Sequence, residues 1–274
     1  MSLSEKIALV TGASRGIGKG IAQELSNAGA TVYITGRTLG QEISASKLNG
    51  SITQTASEIN RNGGKCIPVK CDHTDDGQTK KVFEFIKDKH SRLDILVNNV
   101  WGGYEYYTDG TQFWNESGFW TSPISRWDSR FQSGVRAHYV SSIYASQLMT
   151  VNQSGLIVNL SYFAAERNDK GVAYGASKAA TNHMTRCMAH ELKPHNIPVI
   201  CLYPGLVRTE SVMKGAEHLD LSNSESPQFI GKAVVSLAQD SNCMEKTGTV
   251  CIAAQLALEY GFTDIDGSQP TPSV

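Results

Sequence analysis

The 274-residue sequence predicts an α/β fold: a doubly wound parallel sheet of about seven strands with helices on both faces. Three observations carry that expectation. Short apolar runs alternate with segments of helical period, a glycine-rich turn joins the first run to the first helix, and polar residues recur at the ends of the runs, where open parallel sheets hold ligands. The length suits one domain, and residues 1–274 read as a single unit whose 40% hydrophobic composition supports a sizeable core.

Charge and composition exclude several function classes. Lysine and arginine total 25 against 26 aspartates and glutamates, a net charge of −1 with both signs scattered, so nothing points to nucleic acid or an anionic membrane. No apolar stretch approaches the ~20 residues of a membrane-spanning helix. The start, MSLSEKIALVTG, lacks the positive flank and long apolar core of a signal peptide. A cytoplasmic protein with no integral membrane segment is expected. The six cysteines, at 66, 71, 187, 201, 243 and 251, form no C-x-x-C pair and fall mostly in apolar runs, so neither disulfides nor a metal site is expected.

The run Lys6-Ile-Ala-Leu-Val10 reads as the first strand. It ends in Thr11-Gly12-Ala13-Ser14-Arg15-Gly16-Ile17-Gly18, after which Ile21, Ala22 and Leu25 follow at helical spacing. Strand, glycine turn and helix in that order read as a phosphate cradle of the Rossmann type, with a plain tight turn as the alternative. Glycines admit positive φ and close backbone approach, and a helix N-terminus offers unpaired N–H groups and the positive end of its dipole. Thr31-Val-Tyr-Ile-Thr35 is the second strand, followed by Gly36-Arg37 where an NAD site would hold a carboxylate for the ribose 2′-hydroxyl. Arg37, with Arg15, suits a 2′-phosphate through charge-assisted bonds, so NADPH/NADP is expected over NAD. A solvated surface arginine is the plain alternative.

A helix over 53–61 and the pair Gly63-Gly64 lead to the strand Cys66-Ile-Pro-Val-Lys70. Asp72 then suits either an adenine amino group or the cap of a helix beginning near Asp75. The amphipathic stretch 81–90 precedes Leu93-Asp-Ile-Leu-Val97 and the pair Asn98-Asn99, whose amides either tie backbone together or bond a ribose. Residues 101–127 hold all four tryptophans (101, 114, 120 and 127) with Tyr104, Tyr106, Tyr107, Phe113 and Phe119. That segment is read as a substrate wall, a local mini-core or an oligomer contact.

One long helix is expected over 126–149, then the strand Leu156-Ile-Val-Asn-Leu160 with Ser161 at its end. The next helix carries Tyr174-x-x-x-Lys178 and stops near Leu192, before Pro194. The strand Val199-Ile-Cys-Leu-Tyr203 ends in Pro204-Gly205-Leu206-Val207-Arg208-Thr209. Residues 210–227 read as a mobile loop, 228–239 as a helix, 248–253 as the last strand and 267–274 as a flexible tail. Tyr174 and Lys178 lie one helical turn apart on one face. Free tyrosine titrates near ~10, and a neighbouring cation lowers that value by favouring the phenolate, which makes Tyr174 a general acid or base. The spacing alone occurs by chance in many helices; Ser161 at a strand end and the phosphate cradle upstream give it weight.

With T-G-x-x-x-G-x-G at 11–18, Asp72, N-N at 98–99, Ser161, Y-x-x-x-K at 174–178 and P-G-x-V-x-T at 204–209 in this order, the chain resembles the short-chain dehydrogenase/reductase family over roughly residues 5–255. Val135-Arg-Ala-His-Tyr139 and LALEYGFTDIDG at 256–267 look further like its dehydrogenase/reductase family member 1 group. The resemblance implies an NADPH-dependent oxidoreductase that reduces a ketone or aldehyde of a hydrophobic small molecule. In that reading Ser161 bonds the substrate carbonyl, Tyr174 exchanges the proton with its oxygen, and Lys178 holds the nicotinamide ribose and lowers the Tyr174 pKa. Gly12, Gly16, Ile17 and Gly18 form the pyrophosphate cradle, while Ser14, Arg15 and Arg37 face the 2′-phosphate. Asp72 meets the adenine, Asn98 or Asn99 a ribose, and Val207 and Thr209, beside Pro204 and Gly205, the carboxamide. Segments 101–127 and 206–230 would meet the substrate, and a homodimer or homotetramer would form through the tyrosine helix.

Members of that group carry a longer hydrophobic C-terminal extension than this chain shows, which agrees with the cytoplasmic expectation. One departure matters. Many family members place a relay asparagine seven residues beyond the tryptophan of a W-D pair, and here that position, counted from Trp127-Asp128, is Gly134. The missing amide is expected to leave room for an extra water that completes the proton path; a broken relay, or plain close packing of the glycine against a neighbouring element, is the alternative. A non-catalytic nucleotide-binding or scaffold protein on the same fold is the alternative. A scaffold has no use for Ser161, Tyr174 and Lys178 in this register, which favours the enzyme.

Overall fold

Both faces of β1 (Ile7–Val10) are covered, which is why its residues form an unbroken apolar run instead of an alternation. The structure, a computed structural model, describes residues 2–40, 48–103, 118–168 and 171–272. Six further strands follow: β2 (Thr31–Gly36), β3 (Lys65–Lys70), β4 (Ile95–Asn98), β5 (Leu156–Leu160), β6 (Val199–Tyr203) and β7 (Val250–Ile252). They form one parallel sheet in the order β3-β2-β1-β4-β5-β6-β7, so the expected doubly wound α/β sheet is observed. The chain reverses its direction of travel between β1 and β4, where Val10 pairs with Val97. At such a switch point the two flanking loops diverge and leave a crevice at the carboxyl ends of the strands.

Nine helices are described: α1 (Gly16–Asn27), α2 (Ile52–Arg61), α3 (Asp76–His90), α4 (Ile124–Phe131), α5 (Ala137–Asn152), α6 (Val172–Leu192), α7 (Glu210–Met213), α8 (Pro227–Gln239) and α9 (Ala253–Tyr260). The two-residue period of the strands sorts the core. Ala8 and Val10 of β1 join Val97, Val158, Ile21 of α1 and Phe229 of α8 on one face. Ile7 and Leu9 join Leu96, Phe83 of α3, Met149 of α5 and Leu192 of α6 on the other. Helices α1 and α8 pack backbone to backbone, because a Cβ on Gly231 would stand 2.6 Å from the Gly20 carbonyl oxygen.

Three local expectations are corrected. The single helix over 126–149 is α4, a π-helical turn over Gln132–Arg136, and α5; the π turn inserts a residue and re-aims the helix beside the crevice. The stretch 210–227 contains α7, capped by the Thr209 hydroxyl accepting from the Val212 amide at 3.3 Å, and a 3₁₀ turn over Ala216–His218. Beyond β7 the chain enters α9, and Gly261, with φ of +72°, ends it.

The described part of the tail is also held. Asn223 donates to the Thr271 carbonyl at 3.0 Å and accepts from its amide at 2.8 Å. Asp264, buried, accepts from the Ser226 amide at 2.8 Å and from Arg208 Nη2 at 3.0 Å. The segment after β6 is thereby pinned from the C-terminal side. No helix among the described residues is long and apolar enough to cross a membrane.

Candidate active site

Backbone builds the first wall of the crevice. Gly12 and Gly16 hold φ of +68° and +56°, a region that glycine enters without steric penalty. At Gly18 a Cβ would lie 2.6 Å from the Gly12 carbonyl oxygen, so the turn closes on the helix with no room for a side chain. Asn99 clamps the turn to β4, its Nδ2 donating to the Thr11 and Gly12 carbonyls at 2.9 Å each. The first turn of α1 meets an acid: the Gly16 amide donates to Glu210 Oε2 at 2.9 Å. That carboxylate is a stand-in anion. It shows that an oxygen carrying negative charge fits where the helix dipole and unpaired N–H groups favour one.

Two arginines lie beyond the turn. Arg15 donates from Nε to the Asn49 carbonyl and from Nη2 to the Gly50 carbonyl, both at 3.0 Å. Burial lowers its pKa, Glu210 opposes that shift, and the charge of Arg37 adds to it. The guanidinium groups are thus near enough to repel, and an anion between them relieves the repulsion. Arg37 and Asp72 line one cleft of about 620 Å³ with Ser125, Asp128 and Gln132. That volume lies within the ~300–1,000 Å³ typical of small-molecule sites. Asp72 does not cap α3. Its Oδ1 closes a turn by accepting from the amide and hydroxyl of Thr74 at 3.0 and 2.8 Å, while Asp75 caps the helix by accepting from the Gln78 amide at 3.1 Å.

The second wall is the end of β5 and the first turns of α6. Ser161 and Lys178 are both buried, and the Ser161 hydroxyl donates to the Lys178 carbonyl at 3.2 Å. Lys178 Nζ donates to the Leu160 carbonyl at 3.5 Å and stands 5.7 Å from the centre of the Tyr174 ring. Burial pulls the Lys178 pKa down from 10.5 to about 8, with Cys201 opposing, so its proton exchanges close to neutral pH. Ser161, Tyr174 and Lys178 are therefore brought together.

Asn98 is removed from the ribose role. It is wholly buried, its Nδ2 donating to Ser142 Oγ at 2.9 Å and to Asn159 Oδ1 at 2.8 Å, so it fastens β4 to β5 and α5. Gly205 donates its amide to Glu225 Oε2 at 2.7 Å, and Val207 pairs with Glu225 in an isolated bridge. Burial drives the Glu225 carboxyl up to about 7, against the Gly205 amide, which favours the charged form. The Thr209 methyl closes on the glycine turn, 3.3 Å from where a Gly16 Cβ would stand.

Gly134 does not leave room for a water. A Cβ there would stand 3.0 Å from Trp101 Cδ1, so an indole takes the space that the missing side chain vacates. The same indole lies edge-on to Tyr174, with ring centres 5.6 Å apart at 63°, and Lys178 Nζ is 5.8 Å from its centre. Of the other aromatics in 101–127, Phe119 and Trp120 are 65% and 78% exposed, which rules them out of a mini-core. Trp127 stacks on Phe131 at 4.3 Å. Tyr104, Tyr106, Tyr107, Phe113 and Trp114 lie outside the described residues. No group of three or more metal-ligating side chains able to hold an ion occurs among the described residues.

A glycine turn that accepts an anion, followed by a buried lysine beside a tyrosine, is the geometry of a dinucleotide oxidoreductase, and residues 6–220 match the family model described as short chain dehydrogenase. The chain belongs to the short-chain dehydrogenase family. Within it, the chain is 40% identical over 276 residues to the "Dehydrogenase/reductase SDR family member 1" of Mus musculus, covering 96% of this chain and 84% of that protein. The Homo sapiens protein of the same name is 36% identical over 279 residues, covering 97% and 85%. Among solved structures, a metagenomic short-chain oxidoreductase in complex with NADP is similar at 27% identity and a TM-score of 0.72, over 92% of this chain and 97% of that one. A 7α-hydroxysteroid dehydrogenase complexed with NADH and 7-oxo glycochenodeoxycholic acid matches at 26% identity and a TM-score of 0.74, over 98% and 96%.

Glu210 and Glu225 of this short-chain dehydrogenase site carry no signal in the motifs, and Trp101 and His138 stand in segments the sequence singles out without a role of their own. His138 has a local signal as well, since it stands four residues after Gly134 and shares its helix face. If the indole has replaced the relay side chain, Gly134→Asn lowers turnover by about tenfold or more, ~1.4 kcal/mol in barrier height. Trp101→Ala in the same chain then recovers part of the loss. A double-mutant cycle on one accepted ketone checks this, with a coupling of ~1 kcal/mol or more expected. Additive losses would show that the two positions do not compete for one space.

Proposed function

We propose that the chain is an NADPH-dependent carbonyl reductase acting on a ketone or aldehyde of a hydrophobic small molecule. The observation that carries this reading is the buried Lys178 ammonium held beside the Tyr174 ring, with Ser161 bonded to the same turn of α6. The cofactor, when bound, supplies a hydride to the carbonyl carbon. Ser161 turns its hydroxyl from the Lys178 carbonyl to the substrate oxygen and orients it. Tyr174 gives its phenolic proton to that oxygen as negative charge develops there, and Lys178 stabilises the phenolate left behind. Gly12, Gly16, Ile17 and Gly18 hold the pyrophosphate in the place that Glu210 takes now, Asp72 faces the adenine, and Val207 and Thr209 close over the nicotinamide end.

Cofactor choice rests on charge. One similar structure holds NADP and another NADH, so the family alone does not decide it. Arg37 stands exposed at the end of β2, near enough to Arg15 to depress its pKa, and Ser14 lies on the same turn. Both guanidinium groups suit a 2′-phosphate. The apolar character of the substrate rests on Trp101 and Tyr162, whose rings flank Tyr174 at 5.6 and 6.2 Å between centres. A cytoplasmic homodimer or homotetramer, formed through α6, belongs to the same reading.

Tyr174→Phe is expected to reduce turnover ~10²–10⁴-fold, the usual range for a lost general acid, with cofactor affinity nearly intact. Cofactor absorbance followed against a panel of aromatic ketones, quinones and aldehydes measures it. Retention of more than half the turnover would remove Tyr174 from the mechanism.

NADPH is expected to bind about ten- to a hundredfold more tightly than NADH, the equivalent of ~1.5–3 kcal/mol from a charge-assisted bond. Arg37→Asp moves the preference toward NADH. Titration of both cofactors against both proteins tests this, and an unmoved preference would show that Arg37 does not meet the phosphate.

A further inference from the structure

Two histidines lie in the buried polar layer between the sheet and α5, and they differ in one respect. His73 is satisfied: its Nε2 meets Thr35 Oγ1 at 2.7 Å, and its Nδ1 has the hydroxyls of Thr79 and Ser141 at 3.3 and 3.4 Å. His138, on the inward face of α5, has one hydrogen-bond partner among the described residues. Its Nε2 lies 3.0 Å from the Val100 carbonyl, and a carbonyl only accepts, so Nε2 carries the hydrogen and Nδ1 is left as a bare acceptor. Nδ1 is buried and has no hydrogen-bond partner among the described residues, and Asn98 Oδ1, in the same layer, is a second such acceptor. His138 itself is 2% exposed.

One donor lies near His138. Lys178 offers three N–H bonds, and its one hydrogen bond among the described residues, to the Leu160 carbonyl, is long at 3.5 Å. Lys178 is close enough to His138 that its charge, after burial, is the main cause holding the imidazole down to about 3, with His73 adding a little. The titratable groups that face His138 are therefore Lys178 from α6 and His73 from the turn after β3. Buried acceptors and donors left in one layer are ordinarily joined by an ordered water with two to four polar partners.

We propose that His138 Nδ1 and Lys178 Nζ together hold a water that returns protons to Tyr174, making His138 the positioning residue of the relay in place of the side chain that Gly134 lacks. The proposal rests on the carbonyl-reductase reading. Each turnover moves one proton from the Tyr174 oxygen to the substrate oxygen, and Lys178 replaces it. Lys178 then recovers a proton from the water, which takes one in turn from solvent. His138 fixes the geometry: with its tautomer set by Val100, it accepts one hydrogen of the water and leaves the other hydrogen and the oxygen lone pairs for Lys178 and the path outward. The relay thus runs one helical turn beyond Gly134.

Two substitutions separate relay from scaffold. Asparagine places its amide where Nδ1 stands and glutamine where Nε2 stands. His138→Asn therefore keeps an acceptor for the water and loses the Val100 bond, whereas His138→Gln keeps the bond and moves the acceptor away. With a relay, His138→Asn holds kcat within about fivefold of the wild type. His138→Gln loses about tenfold or more, shifts the pH profile of kcat, and leaves the cofactor KM within about threefold. The opposite order, or equal kcat in both variants at matched melting temperatures, overturns the relay. A crystal structure of the wild-type protein resolving ordered solvent is the second measurement: a water within hydrogen-bond distance of both Nδ1 and Nζ supports the site, and its absence refutes it whatever the variants do. The parent reading fails separately, when the wild type reduces no carbonyl or Tyr174→Phe stays active. A wild type that depends on Tyr174 but not on His138 defeats this proposal alone.

Discussion

The charge on Lys178 is the constraint around which the site is arranged. Only 8% of the residue is exposed, its one hydrogen bond among the described residues is long, and two aromatic rings lie within 6 Å of its ammonium. Removing an ammonium from water costs several kcal/mol, of which a desolvated cation–π contact returns ~2 kcal/mol or more, a part of the whole. The remainder appears as the depressed pKa. Between about 8 and the ordinary 10.5 the unfolded chain binds more protons at this residue than the folded one. The burden of burying the charge is therefore present in full below about 8 and is relieved as pH rises through that window. A fold that keeps such a group at neutral pH holds it in place by other means.

Those means are the hydrogen bonds of the layer beneath it. Ser161 takes the Lys178 carbonyl, and Asn98 joins β4 to β5 and α5. Asn159 extends the layer to α6 by donating to Thr185 Oγ1 at 2.9 Å. Each bond contributes ~1 kcal/mol on balance, but loss of one partner would leave its neighbour buried and unsatisfied, which is the larger effect. On the far side of the crevice the same logic holds in backbone. Asn99 fixes the glycine turn, Glu225 fixes Gly205, and Asp264 fixes the chain after β6 through Arg208 and Ser226. The C-terminal stretch that looked like a family signature thus has a physical task.

What the sequence made legible is local. The glycine turn, the Tyr174–Lys178 spacing and the strand-end serine depend on residues a few positions apart, and the buried strands reveal themselves as apolar runs. The π turn at Gln132–Arg136 was hidden because hydrogen-bond register leaves no mark on hydropathy. Helix α9 was missed because Ala253 to Tyr260 follows the last strand with no polar break. The role of Gly134 was misjudged for a different reason: its neighbour Trp101 comes from another loop, and a long-range pairing of a large residue with a vacated position cannot be read from either alone. Asn98 and Asn99 showed an ambiguity of chemistry, and burial resolved it for Asn98.

Lys178 carries a proton it can exchange near neutral pH because it is buried beside Tyr174. Direct titration tests it most simply. With ¹³C-labelled lysine side chains, the Cε resonance that disappears in Lys178→Met is followed against pH in the wild-type protein. A midpoint near the value of about 8 set by burial is expected. A midpoint at the ordinary lysine value of about 10.4 would contradict it, and would place the ammonium in water and not against the ring.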